Sequence, residues 1–129
     1  MTITKQYQIL NTKSRNAKRV FMESLPRSIA KNLDFRQHYY GSACVMAQII
    51  GSKKVALDKE LNTDAATQLA VAEQQLLVTL RYVSTYFATA GVGVSLRDEL
   101  MTKLHTIVQF EKDISQFKNQ HREALVESY

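Results

Sequence analysis

Apolar residues in the opening stretch recur at Ile3, Tyr7, Leu10, Ala17, Phe21 and Leu25. Three- and four-residue spacing gathers side chains on one side of a helix, so a first helix is predicted over about Ile3 to Leu25. Pro26 stops it, because the ring disfavours helical geometry in the residue before it and offers no N–H, while suiting the first turn of a following helix. A second helix is predicted from Ser28 to Ile50. It carries one stripe of Ile29, Leu33, Tyr40, Ala43, Ala47 and Ile50 and a second of Phe35, Tyr39 and Met46. A helix apolar on two sides either sits centrally or touches another subunit. Gly51 and Ser52 are expected to end it.

The third predicted helix has the clearest pattern: Leu57, Leu61, Ala65, Leu69, Ala72, Leu76, Leu80, Val83 and Phe87 are separated only by steps of three or four. No strand can use that spacing. Gly91-Val92-Gly93 then reads as a turn, since glycine accepts the backbone angles a helix end requires. Ser95 with Asp98 three residues on reads as a capping box that opens a fourth helix. Its core side is Leu96, Leu100, Ile107, Phe110, Ile114 and Phe117, with fraying expected past His121. Four amphipathic helices joined by short connections predict an all-α fold, an antiparallel up-and-down four-helix bundle.

Composition agrees. A chain of 129 residues fits a single domain, and 45% hydrophobic with 22% charged residues is the balance of a protein that buries a core. One Pro, four Gly and no Trp leave few of the breakers that punctuate sheets. The longest uncharged runs, Gln37 to Ser52 and Tyr82 to Leu96, are interrupted by polar residues and fall short of a membrane span, for which about 20 apolar residues are needed. Met1 to Tyr7 lack the apolar core of a signal peptide, so a cytoplasmic location is expected. Cys44, the single cysteine, lies between Ala43 and Val45, where a thiol packs more often than it reacts.

Charge is more informative. Up to Lys54, ten basic residues stand against only Glu23 and Asp34, a balance of +8; beyond it seven basic residues meet ten acidic ones, giving −3 and the net +5 of the whole. In the first helix Lys5, Arg15 and Arg19 fall opposite Ile3, Leu10 and Phe21, with Lys18 at the flank, and Arg27, Lys31 and Arg36 extend the stripe. Such a stripe is either a solvated face that maintains solubility or a footprint for the phosphates of RNA or DNA. No base-reading module accompanies it, so any such contact is expected to be poorly sequence-specific.

Other chemistry is sparse. His38, His105 and His121 have no ligand-type neighbour at metal-binding spacing, and no E-x-x-H pattern is present, so no metal or other cofactor is expected. Gly51-Ser52-Lys53-Lys54 lacks the first glycine and the preceding strand of a phosphate loop and reads as a basic turn. Glu111 falls near the apolar side of the fourth helix. It is either a carboxylate for acid–base work or one of a buried pair, with Arg81 or Lys112 as the expected partner. Tyr39, Tyr40, Tyr82 and Tyr86 are placed to stack on bases or, at helical spacing, to pack in a core or interface. No nucleophile stands with a base, and a non-enzymatic role is expected.

Several residues, taken in order, carry a resemblance. Leu25-Pro26-Arg27-Ser28 after the first helix, the lysine-bearing turn Ser52-Lys53-Lys54, and Leu76-Leu77-Val78-Thr79-Leu80-Arg81-Tyr82 late in the third helix resemble one family of four-helix bundles. That family includes the 23S rRNA intervening-sequence proteins and the accessory variability determinant (Avd) of diversity-generating retroelements. Arg27 and Arg81 match the family's arginines at those places, while Lys112, Ile114 and Phe117 stand for a basic, an aliphatic and a bulky residue near its end. The family's glycines there are replaced by Glu111, Ser115 and Gln116, and its tryptophan by Phe117. The resemblance implies a homopentameric ring and a basic accessory protein that binds a reverse transcriptase and its template RNA or cDNA. Arg15, Lys18, Arg19, Arg27, Lys31, Arg36 and Arg81 are the expected contacts. The alternative is an oligomeric interaction or scaffold protein with no nucleic-acid role, and a third class is an enzyme with a buried site at Glu111 or His105.

Overall fold

The computed structural model describes residues 1–60 and 63–126, with the side chains of 1–57 and 64–125 among them. Every regular element among the described residues is helical, so the fold is all-α. Helix α1 spans Ile3–Ser24, and Thr2 caps it by accepting a hydrogen bond from the Lys5 backbone N–H at 3.0 Å. Leu25 is extended and Pro26 follows as the N-cap of the short α2, Arg27–Ala30, so the proline acts as its chemistry predicts. On α1, Phe21 is buried, while Ile3, Tyr7, Leu10 and Ala17 are half-buried along the expected side.

The second predicted helix is not continuous. After α2 the chain turns at Lys31 and Asn32, where the Asn32 side chain accepts from the Phe35 N–H at 2.8 Å. A π-helical turn, Phe35–Tyr40, then runs into α3, Gly41–Glu60. The extra residue in a π turn shifts the side chains that follow it around the axis. Gly41 donates its N–H to Arg36 O, and a Cβ on Gly41 would stand 2.8 Å from that same oxygen, so a glycine closes the turn without a clash. Phe35 is fully buried against Tyr39, Tyr86 and Phe87, with ring centroids 6.4, 5.2 and 5.5 Å away. The stripe of Phe35, Tyr39 and Met46 therefore faces this chain's own core, and the large apolar side chains left exposed on α3, among those described, are Val45 and Ile49.

Gly51 and Ser52 do not end the helix; α3 passes through both. A Cβ on Gly51 would overlap the Lys112 carbonyl and come within 2.9 Å of Ser115 Cβ and 3.0 Å of Gln116 N. The glycine is the point where α3 lies directly on the backbone of a later helix, α5 (Val94–Gln120), and that close packing offsets its cost in a helix interior, about 1 kcal/mol. Leu57, expected to open the third helix, belongs to α3, and the next helix, α4, is Thr63–Thr89; Leu61 lies outside the described residues. Of the rest of that stripe, Ala72, Leu76, Leu80, Val83 and Phe87 are buried, and Ala65 and Leu69 are half-buried.

Between α4 and α5, Val94–Gln120, Gly91 adopts a φ of +83°, the Val92 N–H donates to Phe87 O at 2.9 Å and the Gly91 N–H to Ala88 O at 3.1 Å. This is the Schellman pattern, and Val92 is buried beside it, as is common after such a turn. The expected capping box is absent. Gly93 is the N-cap, no side chain caps it, and Ser95 already lies inside the first turn, because the chain leaves the Schellman turn straight into helix. Leu104 and Val108 join Leu100 and Ile107 as buried residues of α5, while Leu96, Phe110, Ile114 and Phe117 are half-buried. Instead of fraying past His121, the chain breaks there and forms α6, Arg122–Val126, whose Leu125 is buried.

α3 is the central element, packed on both α5 and α4, while α1 packs on α5. Tyr7 stacks on Phe117 and Ser14 meets Glu111, so α1 and α5 run in opposite directions. Phe35 meets Tyr86 at one end of the π turn and α3, and Lys53 meets Gln68 near the other, so that pair is opposed as well. One cluster of buried residues, including Phe21, Ile29, Phe35, Ile50, Phe87 and Leu100, draws on α1 to α5. Each large side chain so removed from water contributes about 1.5–3 kcal/mol.

Candidate nucleic-acid interface

Arg15 and Arg19 on α1, Arg27 on α2, Lys31 after it and Arg36 in the π turn are all exposed. Arg19 meets Glu23 one turn on at 3.5 Å, an exposed contact worth little. Arg81 is exposed too, but on α4, which packs on α3, the π turn and α5, whereas α1 packs on α5 and α6. The structure therefore places Arg81 on a different part of the fold from the α1 cations.

Lys18 departs from the exposed set. Its Nζ lies 2.6 Å from Glu111 Oε1, with 36% of the lysine side chain and 6% of the glutamate exposed. The Ser14 hydroxyl donates to the same oxygen at 3.2 Å, and Gln48 Nε2 donates to Oε2 at 2.5 Å. Neither Arg81 nor Lys112 is the partner of Glu111. Consecutive residues on a helix do not face each other, so Lys112 turns away, and the cation arrives from the helix packed alongside. Burial by itself pushes the Glu111 carboxyl up, but hydrogen bonds from Gln48, Lys18 and Ser14, with the lysine charge, outweigh it and hold the group below its ordinary value. Glu111 is thus fixed as a carboxylate with both oxygens engaged, an arrangement that joins α1, α3 and α5. Ser115 adds to it by donating to Gln48 O at 2.6 Å.

Nearby, burial pushes the Cys44 thiol up to about 11, helped by the Glu111 charge, so it stays protonated and packs. Burial, with Cys44 beside it, also raises the Tyr40 hydroxyl well above its ordinary value. Of the four tyrosines singled out, Tyr40 stacks on Phe21 at 5.3 Å, and Tyr39 and Tyr86 lie 4.9 Å apart in the aromatic cluster around Phe35. Tyr82 is 62% exposed. His105 is exposed, and among the described residues no group of three or more His, Cys, Asp or Glu is placed to hold a metal ion.

Two concavities matter. One is a polar cleft of about 310 Å³ between α1 and α5, with Arg15, Lys18, Glu111 and Lys118 in its lining. The other is an apolar groove of about 670 Å³ between α3 and α4, walled by Val45, Met46, Val71 and Val78. Spacing alone places Val45 and Val71 on their helices, but only packing shows that they line a shared groove. Among the described residues no helix is long and apolar enough to cross a membrane. Compared with models of known protein families, with characterised proteins and with solved structures, the chain matches none.

Proposed function

We propose that this chain is a non-catalytic accessory protein that holds nucleic acid, template RNA or cDNA, by its phosphate backbone and binds a reverse transcriptase, in the manner of the Avd proteins it resembles. Its long helices form an antiparallel up-and-down four-helix bundle, and copies of it associate as a homo-oligomeric ring, a pentamer by the same resemblance, in the cytoplasm. The observation that carries the nucleic-acid reading is the exposure of Arg15, Arg19, Arg27, Lys31 and Arg36 on the amino-terminal elements, in a region of strong positive balance. Each phosphate neutralised there releases condensed counterions, which drives binding without reading sequence. Arg81 lies apart from this face and serves a separate contact. Lys18 takes part only as a partly exposed ammonium already held by Glu111.

The test is the salt dependence of binding to single-stranded RNA. If those five cations each neutralise one phosphate, log affinity falls against log salt with a slope of about −3.5. Affinity that does not change with salt would overturn the reading. Co-purification with the reverse transcriptase proposed as partner tests the second half.

A second reading is favoured by the α3–α4 groove: an interaction or scaffold protein whose oligomer is its purpose. Val45, Ile49 and Val71 are 52%, 39% and 51% exposed there, side by side, which suits contact with another polypeptide. Under this reading Arg15→Glu with Arg19→Glu leaves all binding intact.

A further inference from the structure

Tyr7, Asn11, Arg15 and Lys18 follow at three- and four-residue steps on α1, and Glu111, Ser115 and Lys118 do the same on α5. The helices run in opposite directions, so the two rows form the walls of the polar cleft. Three cations, Arg15, Lys18 and Lys118, share it with one carboxylate, leaving a balance of +2. Glu111 already accepts from Lys18, Ser14 and Gln48, so its charge is matched and it fixes the lysine in place. An ammonium held this way has lost its side-chain freedom before any ligand arrives, which lowers the cost of binding. Among the described residues neither Arg15 nor Lys118 has a carboxylate partner.

The cleft does not stop there. Tyr7, Asn11 and Arg15 also line a second cavity of about 720 Å³, bordered by Gln8, Thr12 and Leu125. Tyr7 is braced by Phe117, with ring centroids 6.2 Å apart and planes 15° from parallel, and Phe117 in turn by His121 at 4.4 Å. Asn11 spends an N–H on Tyr7 O at 3.1 Å and Thr12 its hydroxyl proton on Gln8 O at 2.9 Å, leaving their oxygens as acceptors. A cationic lobe thus opens, one helical turn away, about 5.4 Å, into a lobe of amides, a hydroxyl and an aromatic ring. A phosphate joined to a flat, polar heterocycle has the matching distribution of charge and hydrogen-bonding edges.

We propose that the α1–α5 cleft binds one nucleotide, its phosphate among Arg15, Lys18 and Lys118 and its nucleoside against Tyr7, Gln8 and Asn11. The choice of a nucleotide rests on the nucleic-acid reading above; the shape and charge of the cleft do not. Lys118, which charge patterning along the amino-terminal half passes over, becomes a phosphate contact. The site fixes the register of a bound strand at one phosphate while the exposed cations of α2 and the π turn hold its neighbours.

The test follows backbone amide shifts by two-dimensional NMR while the whole chain is titrated with adenosine 5′-monophosphate, with adenosine and with inorganic phosphate. The monophosphate is expected to shift Gln8, Asn11, Arg15, Ser115 and Lys118, and phosphate alone the cationic lobe only. Adenosine should bind about tenfold more weakly or worse, as should the monophosphate to Lys118→Gln and Arg15→Gln, while Lys31→Gln leaves its affinity unchanged. Shifts centred on Arg27, Lys31 and Arg36, or no loss in Lys118→Gln, would overturn the cleft. If single-stranded RNA binds with strong salt dependence and Lys31→Gln weakens it while Lys118→Gln leaves it unchanged, the cleft is wrong and the basic face stands. If the monophosphate binds in the cleft and RNA binds nowhere, the cleft stands as a mononucleotide site and the nucleic-acid reading fails.

Discussion

Lys18 Nζ on α1 stands 2.6 Å from Glu111 Oε1 on α5, in a pair where the glutamate is buried and the lysine reaches water. The geometry removes one cation from the amino-terminal stripe and turns it into the link between two helices. Its energetic weight lies in what happens when one partner is lost, since an uncompensated buried carboxylate is costly whereas an apolar replacement of both partners is not.

Lys18→Met is therefore expected to lower the free energy of unfolding by about 1–3 kcal/mol. Lys18→Met combined with Glu111→Leu should recover most of the loss. Urea denaturation of the wild type, both single variants and the double variant measures the coupling, and strictly additive effects would show that the pair contributes nothing.

The same pair has a signature in acid. Glu111 has a folded-state pKa depressed below its ordinary value of 4.5, so its contribution is complete above the unfolded pKa and is lost as pH falls through the folded one. Stability should decline as the medium is acidified below about pH 4.5, and Glu111→Gln should flatten that decline. Parallel slopes for the two proteins would contradict this.

Gly51→Ala tests the crossing of α3 and α5. Helix propensity alone predicts a gain of about 1 kcal/mol, but the added methyl meets the Lys112 carbonyl, and overpacking of this kind costs about 1–3 kcal/mol or more. A net loss of stability is expected in thermal or urea unfolding. Gly93→Ala, where a Cβ meets nothing within 4 Å, is the control and should lose no more than the preference for glycine over alanine at an N-cap, about 1 kcal/mol.

The α3–α4 groove yields a fourth expectation. Val71→Glu with Val45→Glu places charges on a surface already exposed to water, so the fold should survive with helical content unchanged, while native mass measurement should show any oligomer reduced to single chains. A variant that keeps the wild-type mass would exclude this groove as the contact between copies.

Single-residue chemistry and local spacing were enough to place Pro26 between two helices, to put a left-handed glycine in the Gly91 turn and to assign Phe21, Ala72, Leu76 and Phe87 to the core. Each of those depends on neighbours within a turn or two, where backbone sterics and the helical period act. Gly51 reads the same way as a stop, and the reading fails. Locally a glycine weakens a helix, but here the backbone of Lys112 occupies the space where its side chain would be, some sixty residues further along. The π turn at Phe35–Tyr40 is similarly invisible to a period of three and four, because it changes the period.

For the candidate site, charge counting found the exposed arginines of α1, α2 and the π turn, and missed Lys118. It also could not name the partner of Glu111, which lies across a helix–helix interface and not along the chain. The order of residues determined an all-helical chain with a basic first half, because periodicity and charge are properties of the chain itself. Which glycine would carry a close crossing, which lysine a carboxylate would capture and which cations would share one cleft were decided by tertiary packing, because those depend on distances between residues far apart in sequence.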